Sequence, residues 1–199
     1  MGLNELEKMY ALHSKFYDLT RWLFVWNRKK AINKLELQKG ETILVVGCGT
    51  GYGFEYILEK IGETGKLIGI DYSSHMLEKA RKKVKKYLWK NVELIQADAA
   101  KYTTKNVNAV LYSYSITMIP EWKKSLQNSY KSLKKNGRLV IVDFGKCKIP
   151  VIKQVLDWNF KKHGVNNYIF LKKELKKYFK KVSYTEYFKG YNFIVNSIK

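Results

Sequence analysis

The chain has 199 residues, of which 46% are hydrophobic and 28% are charged, with 13 glycines, 2 prolines and 2 cysteines. This composition is typical of globular proteins and excludes the disordered, collagen-like and disulfide-framework classes. The sequence carries 38 basic and 17 acidic side chains, a net charge of +21. Such an excess favours an acidic partner, which could be nucleic acid, an anionic lipid surface or a phosphorylated small molecule.

Cysteine spacing and the length of apolar runs indicate where the protein resides. Cys48 and Cys147 lack the spacing of a metal site or of a disulfide framework, which is typical of a reducing cytoplasm. The longest apolar runs, residues 22–26 and 43–46, are far shorter than the roughly 20 residues that span a bilayer. Residues 1–8 lack the apolar core of a secretory signal. We expect a soluble or peripheral cytoplasmic protein, without a metal ion, forming one domain over residues 1–199.

The first 36 residues predict two helices. Apolar side chains recur at helical spacing over residues 3–17, with polar side chains on the other side. A second helix is expected over about residues 19–35, and its opening, WLFVW at 22–26, is apolar on nearly every side. The aromatic face and the surrounding basic residues suit either a helical lid over a ligand crevice or a membrane contact.

From residue 42 onward, short β-branched runs alternate with longer amphipathic ones, the pattern of βαβ units around a buried parallel sheet. The expected strands are 42–46, 66–70, 92–95, 107–112 and 138–142. The expected helices are 54–61, 74–88 with Ser73 or Ser74 as N-cap, and 121–133, the last closed by Asn136-Gly137. The tail predicts helices near 149–162 and 171–179, then antiparallel strands 182–188 and 191–198 joined by Lys189-Gly190. We predict an α/β fold with a doubly wound, mostly parallel sheet in a core over residues 41–199.

Three strand ends carry the residues of a nucleoside site. Gly47, Gly49 and Gly51 follow the first strand and let the backbone approach a ligand more closely than a Cβ would allow. Asp71 ends the second strand, 24 residues beyond Gly47, and can accept the ribose hydroxyls; Asp98 follows the third and suits an adenine amino group. Because the glycines are spaced G-x-G-x-G, a nicotinamide dehydrogenase fits less well than an adenosine site.

Four segments together resemble class I S-adenosylmethionine-dependent methyltransferases. They are VVGCGTG at 45–51, GID at 69–71, ADA at 97–99 and LKKNGRLVIVDF at 133–144. The resemblance implies a Rossmann-like fold and S-adenosylmethionine as cofactor. The sequence departs from the family at Val45, where an acidic residue often contacts the methionine amine.

The same resemblance implies positions for the parts of the cofactor. The methionine part would face the glycines, the ribose would face Asp71, and the adenine would face Asp98 and Ala99. The methyl group would lie near Ser113 and Tyr114. The role we prefer for Arg21 is to hold the methionine carboxylate. The full set of expected cofactor contacts is Tyr17, Arg21, Gly47, Cys48, Gly49, Thr50, Gly51, Asp71, Tyr72, Met76, Asp98, Ala99 and Ser113.

Two further segments, HSKFYDLTRW at 13–22 and SYSITMIPEW at 113–122, resemble bacterial phosphatidylethanolamine N-methyltransferases and the enzymes that methylate the homoserine head group of betaine lipids. Members of that group visit the membrane surface, partly through their N-terminal helix. The resemblance therefore implies an N-methyltransferase of a lipid head group, peripheral on the inner face of an anionic membrane. The basic amphipathic stretch 171–181 would add attraction to such a surface.

Methyl transfer to an amine needs little covalent machinery, because the enzyme mainly aligns the nucleophile, the methyl carbon and the leaving group. The amine must be neutral to react, so the site should desolvate it or accept its proton. Aromatic rings suit this task and also hold the methylated cation. The candidate catalytic residues are Tyr10, His13, Tyr17 and Tyr114.

Three alternatives stay open. Net charge and 15 tyrosines favour an RNA methyltransferase, although YSYS at 112–115 differs from the Asp/Asn-Pro-Pro-Tyr motif of enzymes that methylate base amino groups, so nucleic acid is the weaker partner. A methyltransferase of a small soluble amine is the second. The third is a domain that binds the cofactor without catalysis, which Val45 favours.

Overall fold

The structure, a computed structural model, describes residues 25–150, 153–154, 157–158, 160, 165–166 and 170–199. The helix predicted over residues 3–17 and the beginning of the one predicted over 19–35 lie outside these ranges. Four candidate residues also lie outside them: Tyr10, His13, Tyr17 and Arg21.

The described residues contain strands and helices with the following bounds. The strands are β1 (Thr42–Val46), β2 (Lys66–Asp71), β3 (Val92–Gln96), β4 (Val107–Ser113), β5 (Leu133–Phe144), β6 (Lys181–Tyr187) and β7 (Asn192–Ile198). The helices are α1 (Val25–Lys34), α2 (Phe54–Ile61), α3 (Ser74–Lys86), α4 (Trp122–Ser132) and α5 (Leu171–Leu175), with a 3-10 turn at Ile116–Met118.

All seven strands form one sheet in the order β3-β2-β1-β4-β5-β7-β6. Strands β1 to β5 run parallel to one another, whereas β7 pairs antiparallel with both β5 and β6. The predicted fold class is confirmed. Because the strand order reverses between β1 and β4, the carboxyl ends of these two strands flank the crevice where open α/β sheets bind ligands.

The sheet is buried on both faces, as expected of parallel strands. Val45 belongs to one apolar cluster, together with Ile32 of α1 and Phe54 of α2. The next residue, Val46, belongs to the cluster that contains Leu126 of α4. Successive side chains of β1 thus serve opposite faces, which explains why this strand is an uninterrupted apolar run in the sequence.

The predicted bounds agree to the residue for β1 and α2, but the boundary between α4 and β5 was predicted wrongly. Helix α4 ends at Ser132 and β5 begins at the next residue, so Asn136-Gly137 lies within a strand and does not close the helix. Asn136 has a left-handed φ of 62°, and the β4–β5 register shifts between Val107 and Ala109. The turn signal in the sequence therefore marks an irregularity of the strand.

The tail follows the prediction with shorter elements. Helix α5 ends at Leu175 instead of at residue 179, and the described parts of 149–162 are helical at 150, 153–154, 157–158 and 160. The turn between β6 and β7 contains Phe188, Lys189 and Gly190 at positive φ. In the part of the chain that the structure describes, no helix has the length and apolar character needed to cross a membrane.

Candidate active site

A cleft of about 710 Å³, part of it open to solvent, lies at the carboxyl ends of the parallel strands. The lining comes from the ends of β1, β2, β3 and β4 and from the segment after β4: Gly47, Gly49, Ile70, Asp71, Tyr72, Met76, Ala97, Asp98, Ala99, Tyr114, Ser115, Met118, Ile119 and Pro120.

The first glycine of the loop after β1 is required by a close approach. Gly47 has a φ of +65°, and a Cβ there would lie 2.5 Å from the Cβ of Ser115. The hydroxyl of Ser115 donates a hydrogen bond of 2.7 Å to the carbonyl oxygen of Val46. The end of β1 is thereby fixed against the segment after β4. At Gly47 the loop presents only backbone atoms to the cleft.

Asp71 connects two loops at the bottom of the cleft. Its Oδ2 accepts a hydrogen bond of 2.7 Å from the backbone N–H of Gly49, and its Oδ1 accepts one of 2.9 Å from the N–H of Ser73. Burial raises the pKa of Asp71, while these backbone donors act in the opposite direction. Each carboxylate oxygen can accept a further bond, so the side chain can organise the loops and still accept a ligand hydroxyl.

The third strand contributes a second acidic side chain. Oδ1 of Asp98 accepts a hydrogen bond of 2.9 Å from the N–H of Ala100, which holds the carboxylate where it lines the cleft beside Ala97 and Ala99. Met76 is 2% exposed and adds an apolar wall. A flat apolar slot with a carboxylate at its edge suits a purine ring with an amino group.

Arg28 of α1 is a site residue that the sequence reasoning missed. It is 5% exposed, and its Nε donates a hydrogen bond of 3.0 Å to Oγ of Ser113. Together with Val45, Cys48 and Gly49 these two residues line a hollow that adjoins the cleft at the glycine loop. A buried guanidinium at this position suits a carboxylate ligand.

Tyr114 lines the cleft and packs against Arg28. Its φ of 55° lies in the left-handed region, a conformation that costs energy for a residue with a large side chain and that occurs preferentially at functional sites. Its ring centroid lies 4.9 Å from the guanidinium carbon of Arg28 and 5.0 Å from the ring of Phe144. Burial raises the pKa of the Tyr114 hydroxyl far above its usual value, so it stays protonated at neutral pH.

An aromatic cluster extends from Tyr114 toward the end of the sheet. Phe144, the last residue of β5, contacts Phe160 and Tyr191 at centroid distances of 5.1 and 5.7 Å. Phe160 and Tyr191 are themselves stacked with an interplanar angle of 8°. Tyr114 therefore connects the cleft lining to a cluster of three further aromatic rings.

Asp143 fixes the 3-10 turn that follows β4. It is fully buried and accepts hydrogen bonds from the N–H and the hydroxyl of Thr117, at 3.2 and 2.8 Å. Burial raises its pKa to about 6. The turn that supplies Met118 to the cleft lining is thus held by a carboxylate at the end of β5.

A family model described as a methyltransferase domain matches residues 37–183. The chain is 32% identical over 164 residues to a demethylmenaquinone methyltransferase of Listeria welshimeri, a match that covers 79% of this chain and 70% of that protein. A demethylmenaquinone methyltransferase of Lactococcus lactis is 31% identical, with coverages of 79% and 61%. The chain belongs to the methyltransferase domain family.

Solved structures share the fold of this methyltransferase. An S-adenosylmethionine-dependent methyltransferase of Aquifex aeolicus matches with a TM-score of 0.68 and 23% identity over 93% of this chain and 97% of that one. Phosphoethanolamine N-methyltransferase 2 of Haemonchus contortus, in complex with S-adenosylhomocysteine, matches with a TM-score of 0.83 and 16% identity over 100% and 60%. The predicted class I S-adenosylmethionine-dependent enzyme and its cofactor are confirmed.

The polar side chains of the cleft and of the adjoining hollow fit this cofactor. Asp71 can accept from ribose hydroxyls, Asp98 from an adenine amino group, and Arg28 can bind a carboxylate. Of the other predicted cofactor contacts, Gly47, Gly49, Tyr72, Met76 and Ala99 line the cleft, and Cys48 and Ser113 line the adjoining hollow.

Two predicted contacts stand apart from both spaces. The side chain of Thr50 is fully buried, and a Cβ on Gly51 would lie 3.0 Å from the ring of Phe54, so both positions serve packing behind the loop. Among the residues that the structure describes, no group of three or more His, Cys, Asp or Glu is arranged to hold a metal ion.

Proposed function

We propose that this methyltransferase transfers a methyl group to the amine of a lipid head group. The observation that carries the proposal is Tyr114, which is both a wall of the cleft beside Gly47 and a member of the aromatic cluster with Phe144. Bound S-adenosylmethionine supplies an activated methyl group on a sulfonium. Aromatic faces attract the ammonium that forms as methyl groups are added.

The chain's own residues would act by placement and by excluding water. Tyr114 stays protonated, because burial raises the pKa of its hydroxyl, and so it cannot serve as a base at neutral pH. Its ring already meets the Arg28 guanidinium 4.9 Å away, and the part of the ring that lines the cleft contributes an apolar surface on which an amine loses part of its hydration. Desolvation lowers the pKa of an alkylammonium and increases the fraction of neutral amine.

The resemblance of 113–122 to lipid N-methyltransferases supports the same acceptor. In the structure this segment runs from the end of β4 through the 3-10 turn, and four of its residues line the cleft beside Tyr114: Ser115, Met118, Ile119 and Pro120. A motif that resembles those enzymes therefore forms one wall of the space in which an acceptor would meet the cofactor.

A second candidate acceptor is a quinone ring, methylated on carbon. The names of the relatives at 31–32% identity favour it, and a planar ring would also stack on aromatic side chains. The two candidates differ in the product, since one yields a methylated amine and the other a methylated ring carbon.

The acceptor can be identified with radiolabelled S-adenosylmethionine. Separate reactions would contain vesicles with phosphatidylethanolamine, vesicles with a homoserine lipid, demethylmenaquinone in detergent, free ethanolamine, and total RNA. We expect label in an amine lipid. Label in the quinone would establish the second candidate, and label only in free ethanolamine or in RNA would refute both lipid acceptors.

Variants at Tyr114 test whether its ring takes part in methylation of the acceptor. Tyr114→Phe keeps the aromatic face and is expected to retain most of the turnover. Tyr114→Leu removes it, and we expect kcat on the amine lipid to fall by roughly tenfold or more, the scale of a desolvated cation–π contact. Both variants carry a Cβ at the same left-handed φ, so their backbone strain is matched. If the Phe and Leu variants turn over equally, the ring of Tyr114 does not contribute to the reaction.

A further inference from the structure

Large apolar side chains are exposed mainly at one edge of the molecule. Seven are exposed among the described residues, and two of them, Tyr87 and Leu88, lie in the turn between α3 and β3, at the amino ends of the parallel strands. The other five belong to segments around the opposite edge, where the cleft opens: Trp26, Ile149, Trp158, Phe170 and Phe188.

Contacts with the ends of strands locate these side chains. Phe188 lies in the β6–β7 turn, and the first residue of β7, Asn192, pairs with Phe144 at the carboxyl end of β5. Phe170 is 74% exposed, and its ring lies 5.9 Å from Nζ of Lys146, which follows β5. Phe170 also borders a hollow with Trp122, which follows the cleft wall at Pro120 by two residues.

Lysines accompany the aromatic rings at this edge. Nζ of Lys30 lies 3.3 Å from the ring centroid of Trp26 and 4.7 Å from that of Tyr187. Lys189 is next to Phe188 in the turn, and Lys172 and Lys173 follow Phe170. From residue 144 to 199 the sequence contains 13 lysines and 3 acidic residues. The edge around the cleft is therefore both aromatic and cationic.

We propose that this edge docks on an anionic phospholipid bilayer. The proposal names a site on the described residues, which we call the docking rim: Trp26, Lys30, Lys146, Ile149, Phe170, Phe188 and Lys189. Aromatic rings enter the interfacial layer of a bilayer while neighbouring lysines attract anionic head groups. The side chains come from separate loops and helix ends and combine exposed rings with lysines, which suits an anionic lipid surface.

Docking would place the cleft at the membrane. The rim lies at the same carboxyl edge of the sheet as the cleft, and the hollow that Phe170 shares with Trp122 begins two residues beyond the cleft wall at Pro120. A lipid amine would therefore have a short path from the bilayer to the cleft. In this respect the inference deepens the proposed function and depends on it, although binding to vesicles is measured independently of any methyl transfer.

The test is flotation of the full chain with vesicles of phosphatidylglycerol and phosphatidylcholine in equal amounts, compared with vesicles of phosphatidylcholine alone. We expect binding to the anionic vesicles only. Phe170→Ser combined with Phe188→Asn should weaken that binding by roughly tenfold or more, because two rings leave the interface.

A matched control lies at the opposite edge. Tyr87→Ser combined with Leu88→Asn also removes two exposed apolar side chains, and Leu88, with a φ of 53°, matches Phe188, with a φ of 50°. The control should bind vesicles like the parent. Both double variants should keep the parent's melting temperature and S-adenosylhomocysteine affinity, which excludes unfolding as the cause.

The outcomes separate the two proposals. Three results would overturn the docking rim. The rim variant could bind vesicles as well as the parent does, both double variants could lose vesicle binding equally, or the protein could bind single-stranded RNA and no vesicles. Rim-dependent vesicle binding without label in any amine lipid would support the rim and refute the proposed acceptor. Amine-lipid methylation in detergent without vesicle binding would do the reverse.

Discussion

Nε of Arg28 donates a hydrogen bond of 3.0 Å to Oγ of Ser113. This bond joins α1 to the carboxyl end of β4 and directs the guanidinium toward the glycine loop. Val45, where related enzymes often carry an acidic residue, lines the same hollow. At the methionine end of the cofactor, this protein would thus offer the Arg28 cation to the carboxylate. It offers no acidic side chain to the amine at position 45.

This arrangement predicts how two nucleosides respond to a change at Arg28. Arg28→Met should weaken S-adenosylhomocysteine binding by roughly 1.5–3 kcal/mol, the scale of a hydrogen bond to a charged group. Binding of 5′-methylthioadenosine, which lacks the carboxylate, should be unchanged in calorimetry, and Arg28→Lys should lose less. Equal losses for both nucleosides would assign Arg28 a purely structural role.

Asp71 is predicted to contribute to nucleoside binding directly. Asp71→Ala should weaken both nucleosides by at least about 1–3 kcal/mol, because buried hydrogen-bonding partners lose their acceptor. Ser73→Ala is the control for the loop: it removes the N-cap that accepts from the N–H of Met76 and leaves the carboxylate in place. If Asp71→Ala binds like the parent, the ribose role is refuted.

Asp143 predicts a pH dependence of folding. Its pKa is about 6 in the folded protein, against 3.8 in the unfolded chain, because burial disfavours the charge. The folded state therefore holds this proton more tightly, and the stability it confers is full below about pH 4 and is lost as the pH rises through 6. In urea unfolding, the free energy of unfolding should fall by up to about 3 kcal/mol between pH 4 and pH 6. Asp143→Asn should not show this fall. Parallel pH profiles of the two proteins would contradict the assignment.

The hydroxyl of Tyr112 belongs to a buried hydrogen-bond network. A change at this residue should lower the stability of the fold without altering ligand affinity. The Tyr112 hydroxyl lies 2.7 Å from Oγ of Ser125 and 2.7 Å from Oγ of Ser129, which fastens α4 to β4. Tyr112→Phe leaves both serine hydroxyls without this partner and should cost about 1–3 kcal/mol of unfolding free energy. Nucleoside affinity should stay at the parent's value, since Tyr112 faces away from the cleft lining.

The parts of the fold that could be predicted are those with a strong local pattern. β1 and α2 agree to the residue because an apolar run and a glycine-marked start define them without reference to distant residues. The start of β5, predicted at residue 138 and found at Leu133, could not be placed, since Asn136-Gly137 has the same local signal in a helix cap and in an irregular strand. Only pairing with β4 decides between the two.

The site divides in the same way. Gly47, Asp71 and Asp98 follow strands directly, so the topology brings them to one edge and the sequence predicts their proximity. Arg28 carries no such signal, because a buried arginine and an exposed one look alike in an amphipathic helix. Phe144, the ring partner of Tyr114, lies 30 positions away along the chain, and Tyr191, which contacts Phe144, lies 77 positions away. Only the folded sheet brings these rings together.

The left-handed backbone at Tyr114 has a consequence for engineering the enzyme. Glycine would relieve a conformational cost of about 1–3 kcal/mol at φ 55°, but it would also remove a buried ring that packs against Phe144 and Arg28, a loss of about 3–5 kcal/mol. A library that randomises this position should therefore keep an aromatic residue even when heat resistance alone is selected. Selection for turnover should retain a ring. The packing of the ring thus holds the strained backbone in place, and both selections should favour aromatic side chains at this position.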